Sequence, residues 1–341
     1  MGSNSKIEWT DATWNPIIGC SKVSSGCDNC YAERMAGRFC KTGGYYNGVV
    51  IPMTIPRKPM WTGKPEFKAH KLYEPLRWRK PRTVFVCSMG DLFHESVPAE
   101  WIDKVMAVIA MAEQHRFMIL TKRPKRMLEY FEYSNLPAHI MTQLDMWHEH
   151  DPKHDDLAIE AAAKIGCYKN WPLDNLAIGV SVEDQQTADE RIHSLLRTPA
   201  SHYRFVSYEP ALGLVDFTTF CYMLEQQSYD LNTLTGKVVT NGGYFAIPGI
   251  DLVIMGGESG PNARPMHLDW ARSVRDQCSQ AGVPFFFKQW GEWLPFDQRG
   301  DEMFANSTGQ KRCDFAWKTG KIPAGRLLDG QEHTGTINWK I

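Results

Sequence analysis

Apolar runs of strand length recur along the chain, each closing on a polar, often acidic or glycine-rich turn, and most pass into a helix-like stretch. "TVFVCSMGD" (83–91) precedes "PAEWIDKVMAVIAMAEQ" (98–114), and "RFMILTKRP" (116–124) precedes "KRMLEYFEY" (125–133). "NLAIGVSVED" (175–184) leads into "QQTADERIHSLLR", and "YRFVSYEP" (203–210) follows. "DLVIMGGESG" (251–260) leads into "HLDWARSVRDQCSQAG", and "PFFFKQWGEW" (284–293) comes last. Strands apolar at nearly every position are buried on both faces, which predicts a parallel sheet covered by helices. Six or seven such units predict an α/β fold, a complete or partial (β/α) barrel of the TIM type. A doubly wound open sheet is the competing architecture. In either, chemistry is expected at the C-terminal ends of the strands.

Three segments interrupt the rhythm and read as insertions into a barrel spanning 1–295. Residues 41–82 are proline-rich and basic, 135–172 read as mostly helical, and 219–248 as loop or β-hairpin. A Gly-rich extension, 296–341, follows. Loops this long in a compact domain usually act as lids or binding surfaces.

Composition narrows the setting. The chain has 341 residues, 43% hydrophobic and 23% charged, with a net charge of −1, so any preference for nucleic acid must come from a local patch. The start, "MGSNSKIEWTDATWNP", lacks the apolar core of a signal peptide, and no apolar run is long enough to span a bilayer. A cytoplasmic protein is expected. Nine cysteines, an odd number, argue against a disulfide framework in such a compartment. Cys87, Cys167, Cys221 and Cys278 are scattered and read as small packing residues.

Three cysteines are not scattered. Cys20, Cys27 and Cys30 fall within eleven residues, after the strand-like "TWNPIIG" and before the helix-like "YAERMAGRF". They should therefore lie on the rim where a barrel keeps its chemistry. Three thiolates suit a [4Fe–4S] cluster with one iron left for another ligand. A structural zinc needs four closed ligands, for which Cys40 is the available fourth. A zinc-stabilised nucleic-acid-binding protein without activity is thus the rival reading. Position on the rim favours iron.

A three-cysteine loop after the first strand of a (β/α) barrel resembles the radical S-adenosylmethionine (SAM) superfamily. More narrowly, "KIEWTDATWNPIIGC", "CDNCYAERMA", "TKRP", "GVSVEDQQTADERI", "RFVSYEPALG", "GGESGPNARPMH" and "PFFFKQWGEW" resemble a family of phage and prophage proteins assigned to that superfamily. The loop departs from the usual pattern: six residues rather than three separate the first two cysteines, and Asn29 stands in place of an aromatic. The resemblance implies that the cluster binds SAM at its open iron and, once reduced by a donor such as a flavodoxin or ferredoxin, cleaves it. A 5′-deoxyadenosyl radical then takes hydrogen from a substrate.

The remaining strand ends supply candidates for cofactor and substrate. Ser88, Gly90 and Asp91 stand where the superfamily has a glycine-rich turn and an acid for the methionyl ammonium; Asp91 or Ser88 could instead cap a helix. Lys122 or Arg123 could hold the SAM carboxylate or a phosphate. Ser181 and Glu183 occupy the usual station for ribose and carboxylate contacts, although Glu183 could cap the next helix. Glu209, Glu258, Lys288 and Gln289 end later strands and are assigned to the substrate. "GGESG" lacks the downstream lysine of a P-loop. His148, His150 and His154 read as part of a solvated acidic helix rather than a metal site.

Residues 57–82 carry nine lysines and arginines against two glutamates, with Trp61, Phe67, Tyr73 and Trp78 interleaved. Such a mixture serves phosphates and stacked bases, or simply a solvated surface. With the phage-type resemblance it points to a nucleic-acid base or nucleotide as substrate, in base hypermodification, isomerisation or repair. A base inside a duplex would have to be flipped out. A small metabolite or peptide is the other substrate class.

Overall fold

The computed structural model describes residues 5, 7–52, 58–133, 136–150, 155–166, 172–224, 227–240, 242–298 and 311–339. Seven strands form its main sheet: β1 (Ala12–Trp14), β2 (Thr83–Val86), β3 (Arg116–Thr121), β4 (Leu173–Val182), β5 (Ser201–Tyr208), β6 (Leu252–Gly256) and β7 (Phe285–Gln289). Their spatial order is their chain order, and every pairing is parallel. A doubly wound sheet reverses its strand order at a switch point; this one never does. The sheet is a curled half-barrel, a partial TIM-like barrel.

Helices cover its convex face. α1 (Tyr31–Phe39) follows β1, α2 (Ala99–Met111) follows β2, and α3 (Pro124–Glu132) follows β3. The insertion after α3 contributes α4 (Leu136–His150) and α5 (Asp155–Gly166), and Leu136, Ile140, Leu144, Ala158 and Ala161 bury into the same core. The side chains of His148 and His150 lie outside the described residues, as do His154 and Cys167. α6 (Gln185–Arg197) follows β4 and α7 (Leu268–Ala281) follows β6. Between β5 and β6, Phe220–Leu224, Gln227–Asn232, Lys237–Thr240 and Gly243–Ala246 make an antiparallel four-stranded meander. Among the described residues no helix is long and apolar enough to cross a membrane.

Alternate residues of each strand face opposite sides, so two cores form. Val84, Val86, Phe117, Ile119, Ile178, Val180, Val206 and Val253 pack beneath the helices. Met118, Ala177, Phe205, Leu252, Ile254 and Phe286 fill the concave side. Both chain ends close the floor of that concave core. Trp9 packs on Phe85 at 4.8 Å, and Trp339 on Tyr203 at 4.6 Å between ring centres. The C-terminal segment also sheathes the edge of β7, with Phe287 donating to the His333 carbonyl and Gly335 to that of Phe285, both at 2.9 Å. A Cβ on Gly335 would stand 2.6 Å from the Phe285 nitrogen, so the close approach needs glycine there. Of the described residues after 311, Ala316–Lys318 pair with Trp293–Pro295 past the end of β7, while His333, Gly335 and Trp339 line the barrel's edge and floor.

The basic stretch does not form one surface. Met60–Trp61 pairs with Val50–Ile51 beside α1, whereas Arg77–Arg82 runs into the N-terminal end of β2, at the opposite end of the barrel from the cysteines. Its aromatics serve packing. Trp61 is buried, Phe67 stacks on Trp101 at 5.4 Å, Tyr73 lies against the core, and Trp78 meets His115 edge-on at 5.6 Å.

Candidate active site

Followed upward, the concave face changes character. On β3 the inward positions run Met118, Leu120, then Lys122; on β4 Ala177, Gly179, then Ser181 and Glu183. On β5 they run Tyr203, Phe205, then Ser207 and Glu209, and on β7 Phe286 then Lys288. The apolar half fixes the strand register. The polar half gathers ionised groups at the C-terminal mouth, where buried charges need partners.

They have them. Glu183, with no side-chain exposure, pairs with Lys122 and accepts from Arg191 Nη1 at 3.1 and 3.3 Å and from Ser24 Oγ at 3.0 Å. Lys122 Nζ also donates to Ser181 Oγ at 2.9 Å, and burial pushes its ammonium below the ordinary lysine range. Across the mouth Lys288 pairs with Glu209 at 3.1 Å, and Ser207 donates to the same carboxylate at 3.2 Å. The helix after β4 is capped by Asp184 and Thr187 in a reciprocal box, which leaves the Glu183 side chain free for the mouth.

The cysteine loop lies over this polar end and is tied to four strand ends. Gly19 bridges Gly90, whose missing Cβ lets the Gly19 carbonyl approach; an added Cβ would stand 3.0 Å from it. After β3, Arg123 donates to Ser21 Oγ at 2.7 Å, to the Ser21 carbonyl at 3.2 Å and to the Cys20 sulfur at 3.7 Å. Asp91 holds that guanidinium at 3.0 Å, and its remaining capacity is taken by Thr121 Oγ1 and the Phe93 and Lys122 amides. Ser24 reaches Glu183. After β6, Glu258 accepts from Asn29 Nδ2 at 3.1 Å and from Arg264, which itself donates to the Ser25 carbonyl at 2.8 Å. Gly26 rests against Glu183 so closely that a Cβ would lie 2.5 Å from its carboxylate.

Cys30 is the N-cap residue of α1, where the helix dipole favours a thiolate. Burial opposes ionisation, pushing Cys20 up to about 12 with Asp91 adding to the effect, and raising Cys30 as well. Such thiols are poor free nucleophiles and wait for a cation to take the place of the proton. Cys40 closes the other end of α1, ten residues and about 15 Å along the axis from Cys30. Its sulfur faces the Tyr46 and Val50 carbonyls, both at 3.7 Å. Among the described residues no three His, Cys, Asp or Glu side chains stand preassembled as a metal-binding group. The donor type does fit a [4Fe–4S] cluster: three thiols on one pinned loop, Arg123 directed at one sulfur, and Lys122 within the field of the other two.

The family described as a protein of unknown function, DUF5131, matches residues 4–336. The chain belongs to that family. No curated protein and no solved structure matches it.

In this DUF5131 chain the residues singled out from sequence occupy different places. Lys122, Ser181, Glu183, Glu209 and Lys288 converge on the mouth. Ser88 sits on the rim, its Oγ donating to the Asn15 side chain at 3.2 Å and its carbonyl accepting from Tyr31 at 3.4 Å. Asp91 and Glu258 are buried clamps of the loop. Gln289 donates to Ser259 Oγ at 3.2 Å, and its buried Oε1 has no hydrogen-bond partner among the described residues. Arg191, Arg264 and His94, which contacts Ser21 at 2.9 Å, escaped sequence reasoning. Arg191 alone left a trace: it falls on the apolar stripe of α6 with Ala188, Ile192 and Leu195.

Burial alone would raise Glu258, but hydrogen bonds from Arg264 and Asn29 outweigh it and hold the carboxyl below the ordinary range. A depressed carboxyl stabilises the fold above its unfolded value, about 4.3, and that contribution is lost as pH falls through the folded value. Thermal midpoints of the natural chain and Glu258→Gln, measured from pH 7 to 3, should therefore differ most at neutral pH and converge as pH falls from about 4.3 through the lower folded value. A gap independent of pH would mean that the carboxylate's charge does not hold Arg264.

Proposed function

We propose that this protein is a radical SAM enzyme in which Cys20, Cys27 and Cys30 hold a [4Fe–4S] cluster and the mouth of the half-barrel receives SAM and a nucleic-acid base or nucleotide. The observation that supports it is the seating of the three-thiol loop over the polar mouth of a parallel half-barrel, pinned by the ends of β2, β3, β4 and β6. A bound cluster, reduced by a small electron-transfer protein such as a flavodoxin or ferredoxin, would supply the electron that cleaves the sulfonium bond of SAM to give a hydrogen-abstracting 5′-deoxyadenosyl group.

The chain's own residues bind, orient and shield. Arg123 fixes Cys20 and Ser21, and Asp91 fixes Arg123. Glu183 and Ser181, joined by Lys122, present carboxylate, hydroxyl and ammonium beside the loop, a set that suits an amino-acid moiety and a ribose. Glu209 and Lys288 face them from β5 and β7 and suit a polar substrate. The apolar floor keeps water from below the mouth, as a reactive carbon radical requires. The zinc reading needs Cys40 as fourth ligand, and its position beyond α1 weighs against it.

The test is oxygen-free incubation of iron- and sulfide-reconstituted protein with SAM and dithionite. Release of 5′-deoxyadenosine and methionine is expected. Colourless protein that retains one zinc and releases neither would overturn the proposal.

A further inference from the structure

Helix α1 is amphipathic in an unusual sense. Its inward face, Ala32, Glu33, Ala36 and Gly37, is buried, and Gly37 permits close contact with Pro59. Its outward face mixes large apolar side chains with Arg38. Tyr31, Met35 and Phe39 follow one another at four-residue spacing and are 48%, 39% and 47% exposed. Residues four apart share one side of a helix, so the three form a single stripe. A contiguous exposed apolar stripe is the form that interaction sites take on a protein surface.

What surrounds the stripe identifies its occupant. Arg38 lies within it and Lys41 just beyond it; both are exposed, and neither makes an ion pair among the described residues. The one acid of the helix, Glu33, is buried and accepts from the Trp61 amide at 2.9 Å. The face therefore offers two rings about 12 Å apart along the axis, a methionine between them, and cations unopposed by a helix carboxylate. Aromatic rings interleaved with cations suit stacked bases and their phosphates. The stripe also begins at the mouth, since Tyr31 follows Cys30 directly and donates to the Ser88 carbonyl.

We infer that the outward face of α1 is a docking track for single-stranded nucleic acid, leading a strand across Phe39, Met35 and Tyr31 to the mouth. The inference rests on the radical-enzyme reading for what happens to the strand there, but not for its docking. Residues 57–82, the other stretch with interleaved cations and rings, offer no such continuous face, since Trp61 is buried and Phe67, Tyr73 and Trp78 are half-buried in packing contacts.

The test is fluorescence anisotropy of the full chain, without SAM or reductant, against fluorescein-labelled 12-nucleotide single-stranded DNA and the matching RNA, from 50 to 200 mM salt. Phe39→Ala should weaken binding about tenfold. Arg38→Glu should weaken it and flatten the salt dependence by one to two charges, roughly. Tyr244→Ala, which removes a 70% exposed ring from the meander, should leave it unchanged. A preference between the two probes would name the polymer. The inference falls if neither probe binds, if Phe39→Ala and Arg38→Glu bind like the natural chain, or if these variants impair only reduction by an acidic electron-transfer protein. Because the measurement involves no turnover, its failure and a failure to release 5′-deoxyadenosine are separate results.

Discussion

Reconstitution of the natural protein is expected to give about four irons per chain, and alanine in place of Cys20, Cys27 or Cys30 to leave less than one and to end release of 5′-deoxyadenosine. The loss should exceed the roughly 10–100-fold that follows removal of an outer partner of a metal ligand. The reasoning is geometric. The thiols come from one loop whose flanks are fixed: Ser21 to Arg123, Ser24 to Glu183, Ser25 to Arg264 and Asn29 to Glu258. A loop held at that many points cannot bring in a replacement ligand. Cys40→Ser is the matching control, because Cys40 lies past the far end of α1 with its sulfur toward the Tyr46 and Val50 carbonyls. It should keep the iron and the activity. Equal loss of metal in Cys40→Ser and Cys27→Ala, read by iron and zinc analysis, would restore the four-thiolate zinc site and remove the radical mechanism.

Periodicity exposed the strands and where they end, because a strand buried on both faces has no polar positions to spare until it leaves the core. The apolar stretches from Thr83 to Gln289 therefore pointed at their own polar tips, and Lys122, Ser181, Glu183, Glu209 and Lys288 converge on one mouth. Strand order was not legible. A half-barrel and a doubly wound sheet are built from the same β–α units and differ only in the side on which each crossover returns. Which of two adjacent acids caps a helix was equally hidden, since Glu183 and Asp184 are both suitable; Thr187, three residues past Asp184, decides it through the reciprocal box. Partners from distant parts of the chain were out of reach. Arg264 and Ser25 are 239 residues apart, and nothing local in "GPNARP" marks a cation that clamps the cysteine loop. The basic run from 57 is ambiguous for a related reason. Its composition says nothing of the turns that bury Trp61, pack one side of Phe67, Tyr73 and Trp78, and carry its last arginines to the other end of the barrel.

Glu183→Ala is expected to cost on the order of 3–5 kcal/mol of stability, the range for breaking a buried ion pair from one side. Its carboxylate has no exposure, and the cations that depend on it, Arg191 and Lys122, are 5% and 19% exposed at the side chain. Neither can turn to water without leaving the mouth, so the loss includes the burial of uncompensated charge. The residue does more than balance charge, however, since it also props the cysteine loop through Ser24 and stands directly against Gly26. In the natural chain Gly26→Ala should overpack this contact at about 1–3 kcal/mol, because Arg191, Lys122 and Ser24 hold the carboxylate in place. Once Glu183 is alanine the colliding atoms are gone, and the same Gly26→Ala change should cost little. The double variant must then be more stable than the sum of the single losses predicts, as expected for residues in direct contact. Urea denaturation of the four proteins in this cycle measures the coupling. Strict additivity would mean that Glu183 is not pressed against the loop, and its part in holding the thiols over the mouth would have to be given up.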